Sequence, residues 1–181
     1  FRMPKNFKIR PRMRALLSPA VTKIEMAGFV AWIGVLLIAP MVTLNLPNIL
    51  VTLSLLLVWH VHRVVAVFWI WRILGSVYIL LLSLGFAHVI AQNIELRVFT
   101  LPLAVIIVLS SPILFVTAQD YFLSAILVWA LLWPNLDVSL YRELEVYLAI
   151  FCIASVSIGF TLSFTYLRNM RSVLLVESEF R

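Results

Sequence analysis

The stretch ILVTLSLLLVWHVHRVVAVFWIWRILGSVYILLLSLGFAHVIA, residues 49–91, decides the fold, because it is an almost unbroken apolar run long enough for membrane-spanning helices. His60, His62, Arg63 and Arg72 interrupt this run. A charged or titratable side chain within hydrocarbon is costly unless it faces protein, water or a partner group. The positions of these four side chains therefore need a structural or functional reason.

The composition places the whole chain in the same class as this stretch. Hydrophobic residues make up 64% of the 181 residues and charged residues only 12%, whereas charged residues are about a quarter of a soluble globular protein. The apolar blocks are also too many and too long for one soluble core. We therefore predict an all-α fold, a polytopic integral membrane helix bundle with about six transmembrane helices.

The predicted bundle occupies residues 24–167, between a basic arm at 1–23 and a helical extension at 168–181. The fifth span is short and directly follows Asp120, so it either crosses at a tilt or forms a re-entrant limb with the fourth. The six predicted spans are Ile24 to Val42, Ile49 to Trp71, Leu74 to Ala91, Phe99 to Ala118, Tyr121 to Trp133 and Val146 to Leu167.

The second span allows two interpretations. In the first, which we favour, one continuous helix runs from Ile49 to Trp71 and buries His60 and Arg63. In the second, residues 49–62 are buried and residues 64–72, which are rich in tryptophan and end in an arginine, lie along the lipid headgroups. We favour the first interpretation because residues 49–62, the buried part in the second, form only about 20 Å of helix. This is too short for a hydrocarbon core of about 30 Å.

The distribution of basic residues predicts the topology. The formal net charge is +6, and a large part of it precedes the first span. Lysine and arginine beside a membrane span favour the cytoplasmic side and contact anionic lipid headgroups, so we do not expect nucleic acid as a partner. Six crossings then place both termini in the cytoplasm, and we expect the bacterial inner membrane. The basic residues of the arm are Arg2, Lys5, Lys8, Arg10, Arg12 and Arg14.

The histidines are candidates for cofactor binding. If the second and third spans form a hairpin that turns near residues 72–75, His60 and His88 lie at similar depth, about 20 Å from the turn. Two imidazoles facing each other across a helix pair can ligate haem iron or hold a pigment. The alternative is that His60 and His62 point to opposite flanks of one helix and only form hydrogen bonds with their neighbours.

Three side chains, His62, Arg63 and Asp120, are candidates for intramembrane polar contacts or ion pairs. An intramembrane arginine commonly marks a transport pathway or an ion pair, and Asp120 or Glu25 can reach Arg63 if their helix ends lie on the same side of the membrane. The alternative for Arg63 is that its long side chain extends to the cytoplasmic interface.

Small residues on the last span predict a close helix contact. Ser155, Gly159 and Ser163 recur every four residues, and such a stripe lets helices approach closely, either within the bundle or across a dimer. The acidic residues near the start of this span, Asp137, Glu143 and Glu145, lack the spacing of a calcium loop and are predicted to be solvated.

No catalytic motif is found in the sequence. It contains no G-x-S-x-G, H-E-x-x-H, P-loop or Cys-x-x-Cys pattern, and Cys152 has no second cysteine to pair with. We therefore expect a protein that is not an enzyme and that associates with other membrane protein chains.

The layout is similar to that of the multi-span input modules that precede cytosolic output domains in bacterial signalling proteins. This resemblance covers the basic arm, the short-looped spans and the helix leaving the membrane, and it implies a membrane sensor or anchor coupled to a cytosolic output. Two alternatives remain: a subunit of a larger membrane complex that contacts haem, pigment or quinone, and a small transporter or channel that uses Arg63 and Asp120.

Overall fold

The computed structural model of the chain describes residues 6–38, 45–136 and 145–179. These residues are helical apart from short connections and contain no strand, which confirms the predicted all-α class for the described ranges. Their six α-helices are α1 (Asn6–Ile38), α2 (Leu46–Val64), α3 (Phe68–Gln92), α4 (Thr100–Ser110), α5 (Ala118–Leu132) and α6 (Glu145–Glu179). Short 3₁₀ segments flank α4 and follow α5, at Ile94–Phe99, Ser111–Leu114 and Trp133–Asn135.

Five helical stretches in the described ranges are long and apolar enough to cross a membrane, and this supports a membrane location. The remaining helix, α5, has 15 residues and is therefore about 22 Å long, shorter than a hydrocarbon core of about 30 Å. The five stretches are Met13–Leu37, Leu46–Val64, Phe68–Gln92, Ile94–Leu114 and Val146–Val176.

The predicted continuous helix from Ile49 to Trp71 is wrong, and so is its alternative with a separate interfacial segment. α2 ends at Val64 and α3 begins at Phe68, so the predicted interfacial residues form the first turns of α3. The break has extended backbone at Val65 and Val67, with ψ of 124° and 114°. β-Branched side chains are favourable in extended backbone, so a turn forms here without glycine or proline.

Both ends of the described chain extend the membrane helices. α1 begins at Asn6, inside the predicted basic arm, so residues 6–23 of the arm and residues 24–38 of the first span form one helix. α6 has 35 residues and continues beyond Leu167 to Glu179, which makes it about 52 Å long. Arg2 and Lys5 lie outside the described residues, as do Asp137 and Glu143 of the acidic segment.

Successive helices alternate in direction, as their side-chain contacts show. α1 and α2 are antiparallel, because Glu25 contacts His62 while Trp32 contacts Thr52. α3 and α5 are parallel, because both of their hydrogen-bonded side-chain pairs are separated by 48 residues. α5 is antiparallel to α4 and to α6; the contacts that establish this are Thr100–Asn135, Tyr121–Val108, Tyr121–Gly159 and Trp129–Ser155.

This alternation gives the bundle two distinct ends. We call the end that holds the connections 65–67 and 115–117 the proximal end, and the end that holds Asn45 and Asn93 the distal end. The N-terminal part of α1 and the C-terminal part of α6 both lie at the proximal end. α3 is the central helix, since it contacts α1, α2, α4 and α5. Its buried side chains are distributed from Trp71 to Ile90.

Candidate functional site

A carboxylate and an imidazole are buried together near the proximal end. Glu25 Oε1 of α1 lies 2.6 Å from His62 Nδ1 of α2, and the two side chains are 0% and 2% exposed. The remaining polar atoms, Glu25 Oε2 and His62 Nε2, are also buried and have no hydrogen-bond partner among the described residues. The pair therefore uses one of the two hydrogen-bonding atoms of each side chain.

Helix α3 closes this site from a third direction. The Tyr78 hydroxyl donates a hydrogen bond to the backbone carbonyl of Glu25, and the Trp71 ring lies 4.9 Å from the His62 ring. Gly28, one turn after Glu25, leaves space for the tyrosine, because a Cβ atom there would lie 3.2 Å from the Tyr78 hydroxyl. The polar pair is thus enclosed by α1, α2 and α3.

A second pair joins α3 to α5 at the same end of the bundle. Arg72 donates from Nε and Nη2 to the two carboxylate oxygens of Asp120, at 2.5 and 2.7 Å. This bidentate geometry fixes both side chains, which are 25% and 20% exposed. Thr117 caps α5 by accepting a hydrogen bond from the Asp120 amide at 3.1 Å. Trp69 lies over the guanidinium, 5.3 Å from ring centre to Cζ.

The charge of Asp120 is stabilised by these neighbours. Burial alone would raise the pKa of its carboxyl, but hydrogen bonds from Arg72 and Thr117 and the positive charge of Arg72 hold that pKa below its ordinary value. Asp120 is therefore a carboxylate at neutral pH, and the pair with Arg72 is a fixed ion pair.

Adjacent residues of α3 contact the two pairs. Trp71, which contacts His62, directly precedes Arg72, which binds Asp120. Successive residues of an α-helix point about 100° apart, so α3 presents one side chain to α1 and α2 and the next to α5. We refer to Glu25, His62, Trp71, Arg72 and Asp120 together as the proximal polar site.

The two predicted haem-ligand candidates are not brought together. His60 lies four residues before the end of α2, about 6 Å from the hairpin turn, whereas His88 lies 20 residues into α3, about 30 Å away. The predicted depth match is therefore wrong, because the turn lies at 65–67 instead of 72–75. His60 is exposed, and His88 Nε2 lies 3.1 Å from Gln92 Nε2 near the distal end.

Among the three predicted ion-pair candidates, His62 and Asp120 are in the two pairs and Arg63 is in neither. Arg63 is exposed and lies over the Trp59 ring, with Cζ 4.9 Å from the ring centre. The predicted contact of Arg63 with Asp120 or Glu25 is wrong: the acids bind Arg72 and His62 instead. His62 and Arg63 are consecutive residues of α2 and point about 100° apart, so only one of them faces α1.

The small-residue stripe lies at a contact within the chain. Ser155, Gly159 and Ser163 are buried on α6. Trp129 of α5 donates from Nε1 to Ser155 Oγ at 3.1 Å, and a Cβ on Gly159 would lie only 1.8 Å from the Tyr121 hydroxyl. At Ser155 and Gly159 the stripe is therefore covered by α5.

Of the predicted lipid-binding residues, Arg14 is half-buried on α1. The side chains of Lys8, Arg10 and Arg12 lie outside the described part of the structure. The described residues form no cluster of three or more histidine, cysteine, aspartate or glutamate side chains suited to a metal ion.

An open groove of about 620 Å³ lies between the outer faces of α5 and α6; its lining is Gln119, Phe122, Leu123, Ser157, Phe160 and Thr161.

Sequence reasoning missed the partner of each acid. A usable signal existed for the first pair, because Glu25 and His62 lie at similar distances from the connection between two antiparallel helices, before the end of α1 and after the start of α2. For the second pair the constant separation of 48 residues depends on the parallel packing of α3 and α5, which no local pattern reveals.

Comparison of the chain with protein-family models, curated proteins and solved structures gives no match.

Proposed function

We propose that the chain is a non-enzymatic membrane input module, a sensor or anchor whose bundle controls the position of α6 and of whatever α6 carries. The observation that supports this most directly is the placement of the proximal polar site. It joins four helices of the bundle at the end where α1 and α6 extend beyond the ends of α2, α3 and α5.

The contacts of α3 provide a route for coupling. Trp71 and Arg72 connect the α1–α2 side of the bundle to α5, and α5 packs closely on α6 through Tyr121 and Gly159. Packed helices rearrange between discrete arrangements instead of deforming continuously. A change on the α1–α2 side would therefore reach α6 through α3 and α5.

α1 and α6 also contact each other directly. Met13, Leu17 and Val21 of α1 are buried, and Leu167 and Leu174 of α6 are buried in the same apolar cluster. Leu174 lies about four turns beyond Gly159, so α6 remains packed after it passes the start of α5. This contact supports transmission towards the C-terminal end of α6.

Six crossings with both ends in the cytoplasm of a bacterium are part of the proposal. With α5 counted as a short crossing, the alternating helix directions support an arrangement in which both ends of the described chain lie on one side of the membrane. Basic residues are concentrated on that side and would contact anionic headgroups, as expected for the cytoplasmic face. The described basic residues at the proximal end are Arg14, Lys23, Arg63, Arg72, Arg168 and Arg171, against Arg97 at the distal end.

A reporter fused after α6 tests this function. The reporter should depend on the orientation of the preceding helix, and one to four alanines are inserted between Val176 and the reporter. Each residue rotates the helix by about 100°, so we expect output to vary with a period of about 3.6 residues. Arg72→Gln should shift the output at a fixed insertion length, because it removes the pair with Asp120.

Arg63→Gln is the matched control, since it removes an exposed arginine at the same end that contacts only a tryptophan ring among the interactions described. Its output should equal that of the wild type. Output that is independent of insertion length, and equal in Arg72→Gln and Arg63→Gln, would contradict the proposal.

The groove between α5 and α6 favours a second candidate, a subunit of a larger membrane complex that contacts a quinone. Phe122 and Phe160 form an edge-to-face pair in its lining, with ring centres 5.9 Å apart, and Gln119 supplies a polar group at one end. A flat apolar ring with polar oxygens fits such a lining. Stoichiometric quinone in the purified protein, lost in Phe160→Ala, would favour this function over the first.

A further inference from the structure

The Glu25–His62 pair has properties that a purely structural contact does not need. Both side chains are fully buried, they are joined by one hydrogen bond of 2.6 Å, and each retains a buried polar atom without a partner in the described ranges. We propose that this pair is a proton-binding site and that the ligand of the module is the proton. The second half of this proposal rests on the proposed function, whereas proton binding by the pair does not.

The argument begins with the charge of the pair. With one shared proton, the carboxyl and imidazole together are neutral, whichever atom holds the proton. Gain of a second proton leaves an imidazolium beside a neutral acid, and loss of the shared proton leaves a carboxylate beside a neutral imidazole. Either change creates a net charge in a site without solvent exposure, and such a charge is costly. A change in proton occupancy must therefore change the structure around the pair.

Few other groups near the pair can compensate such a charge. On α3 the neighbours are Trp71 and Tyr78, which are neutral, and the guanidinium of Arg72 is bound to Asp120. The turn Ser111–Leu114, which also packs on α1, has no titratable side chain. The other described titratable or charged side chains of the surrounding helices at this end are exposed or half-buried: Arg14 and Lys23 of α1, His60 and Arg63 of α2, and Tyr166, Arg168 and Arg171 of α6.

The position of the pair allows protons to reach it. His62 lies two residues before the end of α2, about 3 Å along the helix axis, so only the last turn separates it from the proximal connection. Opening of this turn would expose His62 Nε2, which has no hydrogen bond to break among the described residues. The site is thus closed in the structure but lies close to the proximal end of the bundle.

The expected structural response is a shift of α1. The pair and the Tyr78 hydrogen bond to Glu25 hold α1 against α2 and α3, and α1 contacts α6 at the proximal end. A charge created at Glu25 or His62 weakens the first contact. The distance between the proximal parts of α1 and α6 should then change with pH.

The experiment uses the full chain in lipid nanodiscs with Cys152→Ser, Leu16→Cys and Val173→Cys, labelled with spin labels at two exposed positions of α1 and α6. Electron–electron distance distributions are recorded between about pH 5 and pH 8, the range in which imidazoles commonly titrate. We expect the distribution to shift with pH, to become independent of pH in Glu25→Gln and in His62→Gln, and to keep its pH dependence in His60→Gln. A pH dependence that survives in both Glu25→Gln and His62→Gln would overturn the assignment to this pair.

A second measurement observes the His62 imidazole directly. His60→Gln and His88→Gln together leave His62 as the only histidine, since the chain has three. Its ¹⁵N imidazole signals should change with pH, and Glu25→Gln should alter that change, whereas Glu95→Gln should not. Signals that do not respond to pH, or respond identically with and without Glu25, would refute proton binding. A responsive His62 with an unchanged α1–α6 distance would support the proton site and overturn its role in the proposed function.

Discussion

The contact between α1 and α2 and the contact between α5 and α6 join neighbouring membrane helices by opposite means. The first is centred on a buried pair of titratable groups, Glu25 and His62. The second is centred on a glycine, Gly159, against which Tyr121 packs so closely that a Cβ atom would overlap its hydroxyl. In hydrocarbon, helices gain little from burying apolar surface, so polar bonds and close packing are the two forces available.

The two contacts differ in whether their strength can depend on pH. Close packing at Gly159 depends only on shape, and the polar bonds near it, from Tyr121 to Val108 O and from Trp129 to Ser155 Oγ, are between neutral groups. Its strength therefore does not depend on pH over the physiological range. The Glu25–His62 contact changes charge when it gains or loses one proton. We therefore call the α1–α2 contact the adjustable side of the bundle and the α5–α6 contact the rigid side, as the proposed proton site implies.

The largest effect is expected at Glu25. Glu25→Ala leaves His62 buried without its partner, and removal of one member of a buried pair costs about 3–5 kcal/mol. We expect a loss of this size in the free energy of unfolding, measured by denaturant titration in mild detergent. The double variant with His62→Ala should lose less than the sum of the single variants. Additive losses would mean that the two side chains do not interact, and Glu95→Ala, on an exposed position, is the control.

An intermediate effect is expected at the rigid contact. Gly159→Ala places a Cβ atom 1.8 Å from the Tyr121 hydroxyl and 2.6 Å from its Cζ, so the ring must move and lose its hydrogen bond to Val108 O. Overpacking of this kind costs about 1–3 kcal/mol. The loss should appear in the same unfolding measurement and should not vary with pH.

Gly34→Ala is the matched control for this substitution, because a Cβ atom at Gly34 meets no heavy atom within 4 Å. Part of the loss in Gly159→Ala should be recovered when Tyr121→Phe removes the overlapping hydroxyl. If Gly159→Ala and Gly34→Ala had equal stability, the close packing of α5 on α6 would be disproved.

The sequence predicts the rigid contact better than the adjustable one, for a physical reason. Small residues every four positions lie on one helix, so Ser155, Gly159 and Ser163 predict a close contact without knowledge of the neighbour. The Glu25–His62 pair depends on two helices and on which residue of His62-Arg63 faces α1. Long-range pairing of this kind is set by tertiary packing. For this reason the sequence identified His62 and Asp120 as ion-pair candidates but did not identify their partners.

The helix break at 65–67 shows the same limit. Periodicity identifies a helix when one face is polar, but α2 and α3 are apolar on nearly all faces, so their common boundary leaves no periodic signal. The break contains only valine and alanine, without the glycine or proline that commonly marks a turn. Because the turn was predicted at 72–75 and lies at 65–67, the predicted match in depth between His60 and His88 is incorrect.

The smallest effect is expected at Asp120, which tests whether a partly exposed pair behaves like the buried one. Because hydrogen bonds hold the pKa of folded Asp120 below its ordinary value, the pair stabilises the fold fully above the unfolded pKa of about 3.9. That stabilisation is lost as pH falls through the folded pKa. Asp120→Asn should therefore cost about 1 kcal/mol at neutral pH, since the pair is partly exposed, and the difference from the wild type should narrow below about pH 4.

The Asp120 measurement separates the two pairs, because their pH dependences have different origins. A fixed Arg72–Asp120 ion pair predicts a flat stability difference between Asp120→Asn and the wild type from about pH 5 to pH 8, where Asp120 remains ionised. The Glu25–His62 pair predicts structural change within that same range. A stability difference for Asp120→Asn that varies between pH 5 and pH 8 would indicate that the Arg72–Asp120 pair responds to the same proton. In that case α5 would belong to the adjustable side of the bundle.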